Sequence, residues 1–366
     1  MGNVTRRPDG RWRARYRDPG GKERARHFTR RADALRWLAE VETTKTRGDW
    51  VDPQLARVTI AEWSQTWLAT KATLKPKTRI AYESVLRVWI LPRWGGTPID
   101  GVTHSAVVKW QAEVLTQVGA ARTRHAVDAL GQLLELAVLD NRLPRNVVRG
   151  VQRPRMPQGQ QRFLTHDEVH RLARACEPPF DLLVLLLAYT GLRFGEAAGL
   201  QVHDVDIGRR RISVKRALVE ANGVLVEGTP KTHQRRTVPI PAFLAERLGT
   251  HVQGMVGSDP LFTSLRGGPL RNSNFRSYVF DAAVESAGLA PLTPHDLRDT
   301  AASLAVSAGA TVKAVQRMLG HASAAMTLDV YSGLFDSELD DVAERLDSAA
   351  STTAVVRDHR GSPRRR

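Results

Sequence analysis

The sequence predicts a multidomain, mainly α chain, with a small β+α domain at its N-terminus and a mixed α+β domain toward its C-terminus. Three patterns carry that expectation. GRWRARYRD, residues 10–18, alternates apolar and charged side chains with the period of a strand. From about residue 58 to 151, apolar residues recur at helical spacing instead. Beyond that, three short β-like stretches are set among helical ones. A length of 366 residues suits two or three domains of about 100–200 residues each.

In the first segment, residues 1–55, Trp12, Ala14 and Tyr16 share one strand face and Arg11, Arg13, Arg15 and Arg17 the other. Asp18-Pro19-Gly20-Gly21 is a turn, RARHFT a second strand, and Ala32–Thr46 a helix with Leu35, Leu38 and Val41 in register. Between Arg6 and Arg31 stand 11 Arg or Lys against Asp9, Asp18 and Glu23, a local net charge of +8. Charge of one sign at that density is expected to lack internal partners and to face DNA. Gly48 to Arg57, with Pro53, reads as a linker.

The helical domain, 58–151, begins with Ile60, Trp63, Trp67 and Leu74 and continues through Thr78, Tyr82, Val85, Leu86 and Trp89. ILPRWGGTPI reads as a break, followed by helices over Ser105–Val118 and Ala120–Asn141. The tryptophans are expected in its core. Lys75, Lys77, Arg79, Arg122 and Arg124 mark helix starts, where backbone N–H groups also favour phosphate. QRPRMPQGQQR, 152–162, is a basic linker. The third domain, 163–346, opens with Thr165 and Glu168 spaced as a capping box. Its β region covers Arg211–Glu220, Gly223–Glu227 and Arg236–Ile240. The tail, 347–366, is basic and expected to be disordered.

The net charge of +16 calls for an anionic partner. The single cysteine, Cys176, excludes an internal disulfide or a cysteine metal cluster and reads as a buried apolar residue. The Arg-rich N-terminus lacks the apolar core of a signal peptide. The longest apolar run, Leu182–Tyr189, is short of the roughly 20 residues of a membrane span. A cytoplasmic, nucleoid-associated protein is expected.

The chemistry is concentrated in four stretches: TGLRFGEAAGL with Arg193 and Glu196, TPKTHQRRTVPIP with Lys231, TPHDLRDTAA with His295 and Arg298, and MLGHASAAMTLDVYSGL with His321 and Tyr331. A tyrosine hydroxyl near pKa 10 is only about 0.1% ionised at pH 7, so forming its phenolate costs roughly 4 kcal/mol. Attack on a phosphodiester therefore needs nearby cations and a proton acceptor. Arginine suits the charge that builds on the non-bridging oxygens, because its planar fork binds two of them. A lysine suits the leaving oxygen. Glu196, three residues beyond Arg193, is placed to hold that arginine, and His295 and Arg298 are expected to point the same way from one helix.

These boxes, in this order and spacing, resemble the tyrosine recombinase (phage integrase) family. TPKTHQRRTVPI resembles its lysine-bearing β-hairpin, the middle region its SAM-like core-binding domain, and the N-terminal segment the arm-type DNA-binding domain of lambda-type integrases, a three-stranded sheet plus helix. The resemblance implies a site-specific recombinase that integrates or excises a phage or mobile element through a 3′-phosphotyrosyl intermediate. Tyr331 would be the nucleophile, Arg193 and Arg298 would bind the non-bridging oxygens, and Lys231 would be the general acid. His295 would act in proton transfer with the tyrosine, His321 would hydrogen-bond the phosphate, and Glu196 would support them. Arg235 stands where the family often has Ser, which leaves Lys215 as another candidate acid. Neither metal, ATP nor other cofactor is expected. The implied partners are core-type and arm-type DNA sites, three further copies in a tetramer, a DNA-bending host factor and an excisionase. A Xer-type resolvase, a type IB topoisomerase and a catalytically silent DNA-binding regulator are the competing readings. The basic arm, the box order and the complete catalytic set respectively argue against them.

Overall fold

A computed structural model describes residues 2–47, 50–52, 54–156, 162–221, 223–228 and 235–335, with the isolated residues 346 and 350. The chain divides into two units, Met1–Gln158 and Gly159–Arg366.

The first unit begins with an antiparallel sheet of β1 (Asn3–Arg6), β2 (Trp12–Arg17) and β3 (Glu23–Phe28), with β2 in the middle. The alternation read from the sequence is realised: Ala14 and Tyr16 are buried against Ala34 and Leu38 of α1 (Arg31–Thr46). The charge does find partners, contrary to expectation. Glu23 lies 3.5 Å from Arg13 and 3.8 Å from Arg15. Arg24 bridges Asp18, at 3.0 Å, and Asp52. Pairing β3 beside β2 brings its one acid, Glu23, up against the arginine row.

Helices α2 (Ile60–Ala69), α3 (Pro76–Val85), α4 (Leu91–Trp94) and α5 (His104–Leu139) build a second core. Thr59 and Glu62 form a reciprocal capping box that starts α2. Trp63, Trp67, Trp94 and Trp110 are buried, and Trp63 Nε1 donates to the Leu133 carbonyl at 3.0 Å. The break expected within ILPRWGGTPI falls at Gly95. A π-turn over Leu86–Ile90 widens the helix just before Pro92, which has no N–H to give, and the chain stays helical to Trp94. Helix α5 is interrupted at Gly119, between the two helices foreseen.

The second unit opens with α6 (His166–Arg174), capped by Thr165 and Glu168 as expected, then the buried α7 (Phe180–Thr190) and the short α8 (Phe194–Ala198). Cys176 is buried, and burial pushes its thiol up to about 11. Five strands follow: β4 (Val205–Asp206), β5 (Arg211–Val214), β6 (Ala217–Ala221), β7 (Val224–Gly228) and β8 (Arg236–Pro239). They form two sheets, β4-β5-β8 and β6-β7. The single strand read over Arg211–Glu220 is thus two. The chain leaves the first sheet where Lys215 and Arg216 turn to the buried Asp204, at 3.0 and 3.1 Å. The expected hairpin around Lys231 changes as well, because its flanking strands β7 and β8 lie in different sheets. Lys231 itself lies outside the described residues, as do 157–161 and, apart from residue 350, the tail.

Helices α9 (Ala242–His251), α10 (Asn272–Phe275), α11 (Asp281–Ser286), α12 (Asp296–Ser307), α13 (Val312–Leu319) and α14 (Ala324–Phe335) complete the unit. The apolar α7 is central to the main core, and a smaller cluster joins α12, α13 and Tyr331. No described helix is long and apolar enough to cross a membrane.

Candidate active site

The site forms where α7, α8, β8, α12, α13 and α14 meet. Two glycines allow the approach. Gly191 ends α7 in the left-handed region (φ 64°), and a Cβ there would lie 2.4 Å from Leu319 Cδ2. Gly320 ends α13 likewise (φ 68°), with Arg236 Cδ 2.9 Å from where a Cβ would stand. Both helix ends can therefore close on a cluster of arginines.

Glu196, at the third position of α8 and 1% exposed, organises that cluster. Its carboxylate accepts the Arg193 backbone N–H at 3.0 Å and Arg193 Nη1 at 2.9 Å. Arg236 of β8 grips the same group with Nη1 at 2.9 Å and Nη2 at 2.6 Å, while its Nε donates to the Met318 carbonyl at 3.0 Å. Burial works against the charge on Glu196, but the hydrogen bonds and charges of Arg236 and Arg193 outweigh it and hold the carboxyl below its ordinary value. Glu196 therefore holds Arg193 in place, as expected. Arg236 was not singled out from sequence. The only sign of it was a second arginine beside Arg235, on the inward phase of a strand.

Arg298 is 3% exposed, and its Nη1 and Nη2 donate to the carbonyls of Gly191 and Leu319, the latter at 2.7 Å. Burial, then the charge of Arg193, lowers it to about 10, so it remains a cation at neutral pH. His295 caps α12 and is exposed. The two residues differ in burial: His295 is exposed at the N-cap of α12, while Arg298 is drawn inward to two helix-end carbonyls. Among the described residues no hydrogen bond involves the His295 side chain.

His321, just past Gly320, shares a 2.9 Å hydrogen bond between Nδ1 and Thr327 Oγ1. Burial, then the charges of Arg298, Arg193 and Arg236, lowers it to about 4, so the ring is neutral at pH 7. It stacks on Tyr331 at 6.3 Å with 5° between the planes. Tyr331 is 2% exposed and donates its hydroxyl to Asp299 Oδ1 at 2.5 Å. Burial, then the Asp299 hydrogen bond and charge, pushes the phenol above its ordinary value; Arg298 and Arg193 pull it down. Asp299 also escaped the sequence reading, although it directly follows Arg298.

The structure thus assembles Arg193, Glu196, Arg298, His321 and Tyr331, adds Arg236 and Asp299, and leaves His295 exposed at the start of α12. Lys215, the other candidate acid, is paired with Asp204. Three guanidiniums around one carboxylate leave an excess of two positive charges, or one if Asp299 is included. Away from this unit, Arg11 and Arg17 are exposed, Arg13 and Arg15 half-buried on the sheet. Lys75, Lys77 and Arg79 are exposed around the start of α3, and Arg122 and Arg124 follow the interruption of α5.

Residues 162–338 match the phage integrase family, residues 1–47 the phage integrase N-terminal domain, and residues 59–115 the phage integrase N-terminal SAM-like domain. The integrase of Mycobacterium phage D29 is 28% identical over 370 residues, covering 96% of this chain and 98% of its own. The tyrosine recombinase XerD of Mycobacterium leprae is 30% identical over 234 residues, covering 58% of this chain and 69% of its own. Among solved structures, a lambda integrase tetramer bound to a Holliday junction aligns over 88% of this chain and 96% of its own, with TM-score 0.61 and 23% identity, a likeness of fold. A tyrosine beside clamped arginines, on this fold, defines the tyrosine-type site-specific recombinases. Within that class, the chain belongs to the phage integrase family.

Proposed function

We propose that this protein cuts and rejoins DNA at specific sites through a covalent 3′-phosphotyrosyl link to Tyr331, integrating or excising a mobile element. The observation that carries the reading is the surplus of fixed positive charge beside the tyrosine. Buried like charges repel, and a site holding them without equal counter-charge is built to receive an anion. Arg193, most of whose side-chain N–H donors bond nothing among the described residues, and Arg298 bind the non-bridging oxygens; His321, neutral, hydrogen-bonds the phosphate. Lys231 protonates the leaving 5′ oxygen. The bond energy is stored in the phosphotyrosine, so strand exchange runs without ATP.

Residues 1–55 bind arm-type DNA, 58–151 and 163–346 each bind the core site, and 152–162 link them. Two linked DNA-binding modules raise effective concentration on paired sites. Four protomers exchange strands, as the lambda integrase tetramer on a Holliday junction suggests, with a DNA-bending host factor and an excisionase setting direction. The protein works in the cytoplasm, at the nucleoid. The test is a duplex of the element's attachment site nicked beside the scissile phosphate. The full chain is expected to form a covalent protein–DNA adduct that Tyr331→Phe does not form; an adduct with Tyr331→Phe would remove Tyr331 as nucleophile.

A further inference from the structure

We propose that Asp299 is the catalytic group that takes the proton from Tyr331 as it attacks, the part for which the sequence pointed to His295. The inference rests on Tyr331 being the nucleophile. A base must lie within hydrogen-bond reach of the proton it removes. Among the described residues, Asp299 Oδ1 is the one acceptor on the Tyr331 hydroxyl, at 2.5 Å. The two histidines are placed otherwise. His321 lies within 5° of parallel to the tyrosine ring, makes no hydrogen bond to its hydroxyl among the described residues, and has its Nδ1 engaged by Thr327. His295 is exposed, and its side chain makes no hydrogen bond among the described residues. Asp299 also follows Arg298 directly on α12. One turn of a packed helix therefore carries both a phosphate clamp and the proton acceptor. Despite the arginines nearby, Asp299 forms no ion pair among the described residues, which leaves its carboxylate to the phenol.

The step balances as follows. The Tyr331 O–H bond breaks and its proton passes to Asp299 Oδ1. The phenolic oxygen forms the bond to phosphorus. The bond from phosphorus to the 5′ oxygen breaks, and that oxygen leaves with the pair and takes a proton from the acid, assigned above to Lys231. Religation reverses both transfers. A carboxylate is a much weaker base than a phenolate, so the proton moves as the new O–P bond forms, when the phenolic oxygen becomes acidic. At rest the same contact holds the phenol neutral.

The experiment measures single-turnover cleavage of the nicked attachment-site duplex by the full chain and by Asp299→Asn, with duplex affinity and unfolding temperature alongside. Asp299→Asn is expected to cleave at least ~100-fold more slowly with unchanged affinity. On an intact duplex the cleaved fraction at equilibrium is expected to stay the same, because a proton carrier slows both directions together. As a second variant, Asp299→Ala is expected to recover speed in formate but not in chloride at equal ionic strength. Cleavage at the parent rate or faster, a rise in the equilibrium cleaved fraction, or absence of formate rescue would each overturn the assignment and make Asp299 a restraint on the resting tyrosine. An adduct formed by Tyr331→Phe strikes instead at the nucleophile, so the two failures are distinct.

Discussion

The arginines of β2 and those around Glu196 use the same side chain in opposite ways. On the N-terminal sheet, Arg13 and Arg15 share one acid, Glu23, at 3.5 and 3.8 Å, with side chains 40% and 37% exposed. Water screens such pairs, and each is worth less than about 1 kcal/mol. In the second unit, Arg236 and Arg298 are almost fully buried and committed to a carboxylate and to helix-end carbonyls. There the charges are fixed before any substrate arrives, at a desolvation cost the fold has already met. Under the proposed function the contrast separates two tasks: solvated arginines tune affinity in small, additive, salt-sensitive steps, while buried arginines make a site that works as a whole or not at all.

Arg298→Ala should break that contrast most sharply. Removing one preorganised donor for a developing oxyanion costs about 10²–10³ in rate, and a charged donor should reach the upper end. Cleavage is expected to fall on the order of 10³-fold with duplex affinity nearly unchanged, and Arg298→Lys should not restore it, since a single ammonium cannot span both carbonyls and a phosphate. A loss under tenfold would place Arg298 in the scaffold alone. Next comes Arg236→Ala, which leaves the buried Glu196 carboxylate with Arg193 as its remaining partner. Breaking a buried pair costs about 3 kcal/mol, so calorimetry should find the second unit melting roughly 6–12 °C lower. An unchanged transition would mean that Glu196 and Arg193 stand without the brace.

His321 sharpens the comparison at a third level. Its folded value of about 4 lies below the ordinary 6.5. Between those values the unfolded chain binds a proton that the folded site refuses, so stability is full above pH 6.5 and declines as pH falls toward 4. The decline should amount to about 1–2 kcal/mol between pH 6.5 and 5. His321→Gln should remove that part of the dependence; parallel urea titrations of the two proteins across this range would show that the ring is not buried beside the arginines.

The boxes around Arg193, His321 and Tyr331 were legible because order and spacing carry them, and Glu196 because a helix places it three residues beyond its partner. The strand alternation of Trp12, Ala14 and Tyr16 was legible for the same local reason. Arg236 and Asp299 were not. Their roles depend on which helix ends close on them, and the close approaches at Gly191 and Gly320 join residues far apart in sequence, Leu319 and Arg236. The split of Arg211–Glu220 into two strands was hidden likewise, because it follows from a buried Asp204 that draws Lys215 and Arg216 aside. The exposure of His295 was hidden too, because spacing along a helix does not show which of its residues neighbouring elements cover.

The smallest effects should come from the solvated set. Arg11, Arg13, Arg15 and Arg17, each changed to Gln, are expected to weaken binding to arm-type DNA only a few-fold apiece, while cleavage of the nicked core duplex stays at the parent rate. The signature is in the salt dependence. For the full chain, affinity should fall on the order of 10³-fold or more between 50 and 200 mM salt if many phosphates are neutralised. Each substitution that removes a phosphate contact should lower the slope of log affinity against log salt by about 1. The four losses should add, because solvated side chains along one strand share little beyond Glu23. Arg13→Gln and Arg15→Gln are the informative pair, since losing one frees Glu23 to turn wholly to the other. Their double substitution should therefore cost slightly less than the sum of the two. A single substitution here that abolished arm binding, as one is expected to abolish cleavage in the second unit, would show the sheet to be a preorganised site and dissolve the distinction.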